Sequence, residues 1–236
     1  MNRHNLMLSV LMLFTLGYHS MSQSEDNTKL TWQGGIMKTF DLADQSVEGS
    51  YYLVDEFTDA MVYWKVGGDS SKTENGNYHL MLDQFVFMDQ DQEKGIGFEK
   101  ILFFKITMDG APAIFRHYSS LTSRGFDSKT SYVEQLYFKE SQPVSFWRNW
   151  FINEVPPNYN EALNTGSKNT MLKRRSQVLL LYNDVWYENF KPKKKQLKEI
   201  FDNQAATILD YIKDNSLTDS TSDLQTLGQF INEMLK

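Results

Sequence analysis

The two histidines beyond residue 22, a scatter of carboxylates, several aromatic runs and two clusters of cations are the groups from which this chain could build a reactive or binding site. His79 and His117 fall in stretches that read as strands beside large apolar residues. An imidazole serves as metal ligand or general base only where carboxylates or further imidazoles converge on it, and nothing in the spacing of these two predicts that. Both therefore read as hydrogen-bonded structural histidines. The run Asp89-Gln90-Asp91-Gln92-Glu93 opens like a calcium loop, but its sixth position is Lys94 where the tight turn needs Gly, and its twelfth is Lys100 where a bidentate Glu belongs. A solvated hairpin turn is the favoured reading.

Carboxylates are plentiful around Asp55, Glu56, Asp59 and Asp83, and a glycoside hydrolase needs only two across a cleft. Abundance does not establish pairing. There is no G-x-S-x-G elbow, no Walker loop and no dinucleotide fingerprint, since Gly95-Ile96-Gly97 lacks the third glycine and the strand-to-helix context. The chain has no Cys, which removes disulfides, thiolate zinc sites, iron–sulfur clusters and cysteine nucleophiles. No catalytic residue, metal ligand or cofactor-binding residue is assigned on this evidence, and no cofactor is expected.

The aromatics Phe146, Trp147, Trp150 and Phe151, with Trp186 and Tyr187, could offer stacking faces to a sugar or peptide. In a sheet one alternate set is usually core, so burial is expected for most of them. Lys173-Arg174-Arg175 and the group Lys191, Lys193, Lys194 and Lys195 are basic exceptions in a chain of net charge -6, able to meet anionic lipid or an acidic partner. Charge runs are commonly solvated, and here they read as a turn and a helix start. The acidic balance argues against a dedicated nucleic-acid binder.

These side chains need elements to position them. The 236 residues allow one ordinary core with an appendage, and 41% hydrophobic residues supply the burial that disordered chains lack. Arg3, the apolar stretch Leu6 to Leu16 and the small residues Ser20 and Ser22 have the layout of a cleaved secretory leader over 1–22. The stretch is shorter than the roughly 20 apolar residues that span a membrane, and no later segment is apolar enough to do so. With no Cys, lipid attachment of the lipoprotein type is excluded. The expected location is exported, periplasmic or extracellular.

Between Gly35 and Phe190, within a β domain expected over 23–190, short alternating or apolar runs bounded by Gly, Asn, Asp and Ser predict strands. They cover 60–66, 78–82, 84–88, 98–107, 113–118, 131–139, 144–152, 176–182 and 184–190, with turns expected at Gly67-Gly68-Asp69, Glu74-Asn75-Gly76-Asn77 and Asp109-Gly110. In the fourth run Phe98, Leu102, Phe104 and Ile106 alternate against Glu99, Phe103 and Lys105. The pattern changes over 191–236. Pro192 suits a helix opening, and Leu197, Ile200, Phe201, Ile208, Leu209 and Ile212 recur at helical spacing with a break near Asn203. Ser222 and Gln225 fit a capping box for a second helix with the stripe Leu224, Leu227, Ile231, Met234 and Leu235, and Gly228 within it predicts close approach of another backbone. The expected class is α+β, mainly an antiparallel β-sheet, curved or folded as a sandwich, followed by a C-terminal helical hairpin packed on it.

Gly49-Ser50-Tyr51-Tyr52-Leu53-Val54-Asp55-Glu56-Phe57 leading into Val62-Tyr63, the loop from Asn160 to Asn169, Leu179-Leu180-Leu181-Tyr182, and the endings Lys193 to Phe201 and Ile208 to Lys213 resemble a family of uncharacterised exported proteins of Bacteroidota. Tyr51 departs from that family's pattern, where Pro or another small turn residue is common. The resemblance implies an envelope or secreted protein with a sheet domain and C-terminal helices, and it carries no activity to transfer.

Three functions follow for comparison. The first is a non-catalytic envelope or secreted protein that binds another protein through a sheet edge or aromatic loop. The second is a periplasmic carrier holding a lipid or apolar ligand between sheet and helices, and the third is a hydrolase with an unrecognised carboxylate site. An enclosed apolar cavity, convergent carboxylates, or a filled core with an exposed apolar patch would separate them. Sequence specifies no oligomeric state.

Overall fold

The computed structural model of the chain describes residues 28–33, 36–41, 47–97, 99–121, 130–160, 162–163 and 165–236. The expected leader at 1–22, and Phe98 at the head of one expected strand, lie outside the described residues.

Two strands, β1 (Thr28–Gln33) and β2 (Ile36–Asp41), pair antiparallel as a sheet of their own, which the sequence patterns did not predict. The main sheet holds β3 (Val47–Glu48), β4 (Thr58–Trp64), β5 (Ser70–His79), β6 (Gln84–Asp89), β7 (Gln92–Ile96), β8 (Ile101–Met108), β9 (Ala111–His117), β10 (Tyr132–Tyr137), β11 (Val144–Val155), β12 (Thr170–Tyr182) and β13 (Val185–Tyr187). Its spatial order is β13-β12-β11-β10-β9-β8-β4-β5-β6-β7, with β3 beside β12. Every neighbouring pair is antiparallel except β3 and β12, and the sheet stays open. The α+β class expected from sequence is the class observed.

Turn chemistry sets much of this register. The loops at Gln90-Asp91, Asp109-Gly110 and Asn183-Asp184 have positive φ at both central residues (50° and 61°, 50° and 78°, 50° and 61°). Each joins its strands through two residues, the geometry whose twist matches that of a hairpin. The acidic run at Asp89 is thus a hairpin turn, as its sequence suggested. The turn expected at Glu74–Asn77 is absent: β5 continues through it with a shift of register between Thr73 and Gly76, and the chain reverses before Ser70. A Cβ at Gly76 would stand 2.6 Å from the Ala60 Cβ and 2.8 Å from Phe85, so glycine here relieves crowding inside the sheet.

Alternation then sorts the side chains. Inward-facing Val62, Tyr78, Phe85, Phe104, Phe115 and Tyr132 form one aromatic core, with ring centroids 5.0 Å apart for Phe104 and Phe115 and 5.8 Å for Tyr78 and Tyr132. Segment 49–57 is a strap that ties β5 to β12. Leu53 N–H donates to Tyr78 O at 2.9 Å, Leu80 N–H to Tyr51 O at 2.9 Å, and Arg174 Nη1 reaches Tyr52 O at 3.2 Å.

The helices cover the other end of the same face. They are α1 (Lys194–Phe201), α2 (Ala205–Asp214) and α3 (Thr221–Met234), with a 3₁₀ turn over Asp202–Gln204 where the break was expected. Leu197, Phe201, Ile208, Leu224, Leu227 and Ile231 pack on Leu136, Val144, Phe146 and Leu180. Three local expectations change. Pro192 precedes the N-cap Lys193 rather than opening the helix. The cap of α3 is Ser220, which accepts from Asp223 N–H at 3.2 Å, while Gln225 turns away to donate to Leu136 O at 3.0 Å. Gly228 makes room for the ring of Tyr137, not for a backbone. Asn232 is buried, accepting from Val144 N–H at 3.0 Å and donating to Val144 O at 2.9 Å, so α3 supplies the pairing that β10 no longer provides.

Candidate functional site

The outer face of the sheet over β4, β8, β9 and β10 gathers aromatic and cationic side chains into one row. Tyr63 on β4 pairs in register with Phe103 on β8, and Phe103 with Arg116 on β9. The two rings stack at 4.0 Å between centroids and 15° between planes. The Arg116 guanidinium lies 4.8 Å from the Phe103 centroid and 5.8 Å from that of Phe138, held between two rings. Arg116 Nε donates to Gln135 Oε1 at 3.0 Å, which fixes the plane of the fork. Burial lowers the Arg116 pKa from its ordinary value. Among the described residues no carboxylate pairs with it.

Lys105, two residues along β8 from Phe103, places its ammonium 5.3 Å from the Tyr63 centroid. Beside it opens a cavity of about 170 Å³ lined by Asp59, Met61, Lys72, Lys105, Thr107 and Pro112. Leu102 and Phe138 remain 42% and 36% exposed, large apolar groups that water does not favour. Alternation groups Leu102 with Phe104 and Ile106. Pairing shifts between Tyr63 and Trp64, which face Phe103 and Ile101, so Leu102 is the extra residue of a bulge and turns outward.

The sequence-named candidates are spread elsewhere. His79 Nδ1 accepts from Leu82 N–H at 3.1 Å, and its ring stacks on Tyr51 at 5.6 Å. His117 Nδ1 sits 2.6 Å from Ser119 Oγ with its ring edge-on to Tyr132 at 5.5 Å. Both are engaged as structural groups. Among the described residues no three His, Asp or Glu side chains gather as a metal would require. Asp55 pairs with Arg174 at 3.2 Å, Glu56 lies in the strap, Asp59 lines the outer cavity, and Asp83 accepts from Tyr78 Oη and from Ser131 N–H at 2.8 Å. The four carboxylates form no pair with one another. The contact with Asp83 and burial hold the Tyr78 pKa well above its usual value, burial first, so this phenol stays neutral.

Phe146 and Trp147 are fully buried, as expected for core aromatics. Trp150 is half-buried and donates from Nε1 to Glu134 at 2.8 Å. Glu134 also pairs with Arg148 at 3.3 Å, and this polar group separates the two inner cores. Phe151, Trp186 and Tyr187 are half-buried, and the Trp186 and Trp147 rings meet at 6.4 Å. Of the basic clusters, Arg174 is spent on the strap, Arg175 is exposed, and Lys191, Lys193, Lys194 and Lys195 are exposed around the start of α1.

Sequence reasoning missed Tyr63, Phe103, Arg116, Gln135 and Phe138 as a site. One signal was present: Phe103 stands in the polar phase of an alternating strand, where an aromatic ring has no core to enter. Compared with known protein families, with curated proteins and with solved structures, the chain matches none.

Proposed function

We propose that the chain is an exported, non-catalytic binding protein of the cell envelope that holds a partner protein on the outer face of its sheet. The observation that carries this is the row Tyr63, Phe103, Arg116 and Phe138, preorganised by stacking and by the Gln135 hydrogen bond, with Phe138 exposed and the other three half-buried. Aromatic rings and arginine are the residue types that dominate protein interfaces, because they bury much area while losing little freedom. The ring-filled inner core weighs against a carrier, which needs internal space. The dispersed carboxylates weigh against a hydrolase. Export rests on Arg3, the stretch Leu6 to Leu16, and Ser20 and Ser22, with a mature start near Gln23.

A photo-crosslinking amino acid placed at Phe138 in the native host tests the binding reading. It should capture a discrete protein, whereas the same group at the exposed Gln229 of α3 should not. Capture at neither position, or equal capture at both, refutes it. N-terminal sequencing of the accumulated chain tests export, and an intact Met1 on cytoplasmic protein refutes that part.

A further inference from the structure

We propose that the segment recognised on this face is extended and acidic, with one of its carboxylates seated on the Arg116 guanidinium. The inference rests on the binding reading above and adds the chemistry of the partner. Arg116 is a half-buried cation without a carboxylate among the described residues, and a desolvated charge is unfavourable until a counter-charge meets it. Phe103 and Phe138 flank its plane and Gln135 takes Nε, so the terminal nitrogens are the donors left to an incoming group. A planar fork held this way matches a carboxylate through two parallel hydrogen bonds.

The neighbours extend the pattern. Lys105 and Lys72 border the outer cavity with Asp59 as the single acid in its lining, a local reversal in a chain of net charge -6. The same lining offers Met61 and Pro112 to one apolar side chain. From β4 to β10 the row crosses four strands, about 14 Å at 4.8 Å per strand, which four or five residues of extended chain would span. Acidic side chains alternating with apolar ones would meet Lys105 and Arg116 in turn with Tyr63, Phe103 and the exposed Leu102. Interleaved apolar groups favour a polypeptide over a lipid headgroup or a polyphosphate, whose charges carry no side chains to fill the cavity.

The experiment uses the full chain in its native envelope. A carbodiimide joins lysine amines to carboxylates in contact, so Lys72 or Lys105 should form amide links to Asp or Glu of the protein captured through Phe138. Arg116→Gln should lower that capture at least tenfold and Arg116→Lys by less, with unchanged unfolding midpoints, while Lys94→Gln leaves capture unchanged. A protein captured at Phe138 that resists Arg116→Gln and forms no such links overturns the acidic segment but keeps the binding function. Links to lipid alone overturn the acidic segment, and capture of nothing at Phe138 removes both.

Discussion

Replacing Asn232 by Leu removes an amide that acts as a surrogate strand. Asn232 is 2% exposed and satisfies both backbone groups of Val144, with a third contact to Tyr137 Oη at 3.3 Å. Leucine fits the space but offers no polar atom, so a buried N–H and a buried C=O lose their partners. Each orphaned group costs about 1 to 3 kcal/mol, and added apolar burial returns about 1 kcal/mol, giving a net loss of roughly 1 to 5 kcal/mol. For a domain of this size that lowers the thermal midpoint by roughly 2 to 20 °C. Urea unfolding followed by tryptophan fluorescence measures the change, with Thr226→Ala on the exposed side of α3 as control. The helix should loosen from the β11 end first, seen as faster amide exchange at Val144. A variant within about 0.5 kcal/mol of wild type, with Val144 still protected, would refute the idea that α3 completes the sheet.

Further outcomes follow from the same packing. Ile208 is fully buried and Leu209 only partly so, hence Ile208→Asp should cost several kcal/mol and, by loosening the helices, let protease cleave at 191–195, with a smaller effect from Leu209→Asp. Glu134→Ala leaves the half-buried Arg148 guanidinium without its counter-charge and Trp150 Nε1 without its acceptor, and should lose about 1 to 3 kcal/mol, read by urea titration. Burial first, and then Lys65, depress the His117 pKa, with Asp83 opposing. The unfolded chain therefore binds the proton first, and this contribution to stability is full above about pH 6.5 and is lost as pH falls toward the lowered folded value. Thermal midpoints measured between neutral and mildly acid pH should show a shallower slope for His117→Gln than for wild type.

Much of the fold is legible because strands and helices write their periods into the chain. Val62 against Tyr63 and Phe104 against Phe103 mark the two faces of their strands, and Leu224, Leu227 and Ile231 mark the buried stripe of α3. Single residues that shift register are not legible in this way. Nothing local announces that Leu102 is a bulge, or that Gly76 lies within a strand rather than at a turn, because both depend on what stands across the sheet. The Ser220 cap was missed because Ser220 and Ser222 are equally good cap residues, and tertiary contact of Gln225 with Leu136 decides between them. The outer row is the least legible feature, since positions 63, 103, 116 and 138 meet only once four strands are in register.

Thiol labelling in the native envelope tests the proposed outer-face binding most directly. The chain has no Cys, so Leu102→Cys and Gln229→Cys each create a unique thiol at an exposed position. If the outer face carries a partner, the thiol at 102 reacts slowly with a maleimide in the envelope and rapidly in purified protein, while that at 229 reacts rapidly in both. Equal, rapid labelling at 102 in the envelope and in purified protein would contradict it.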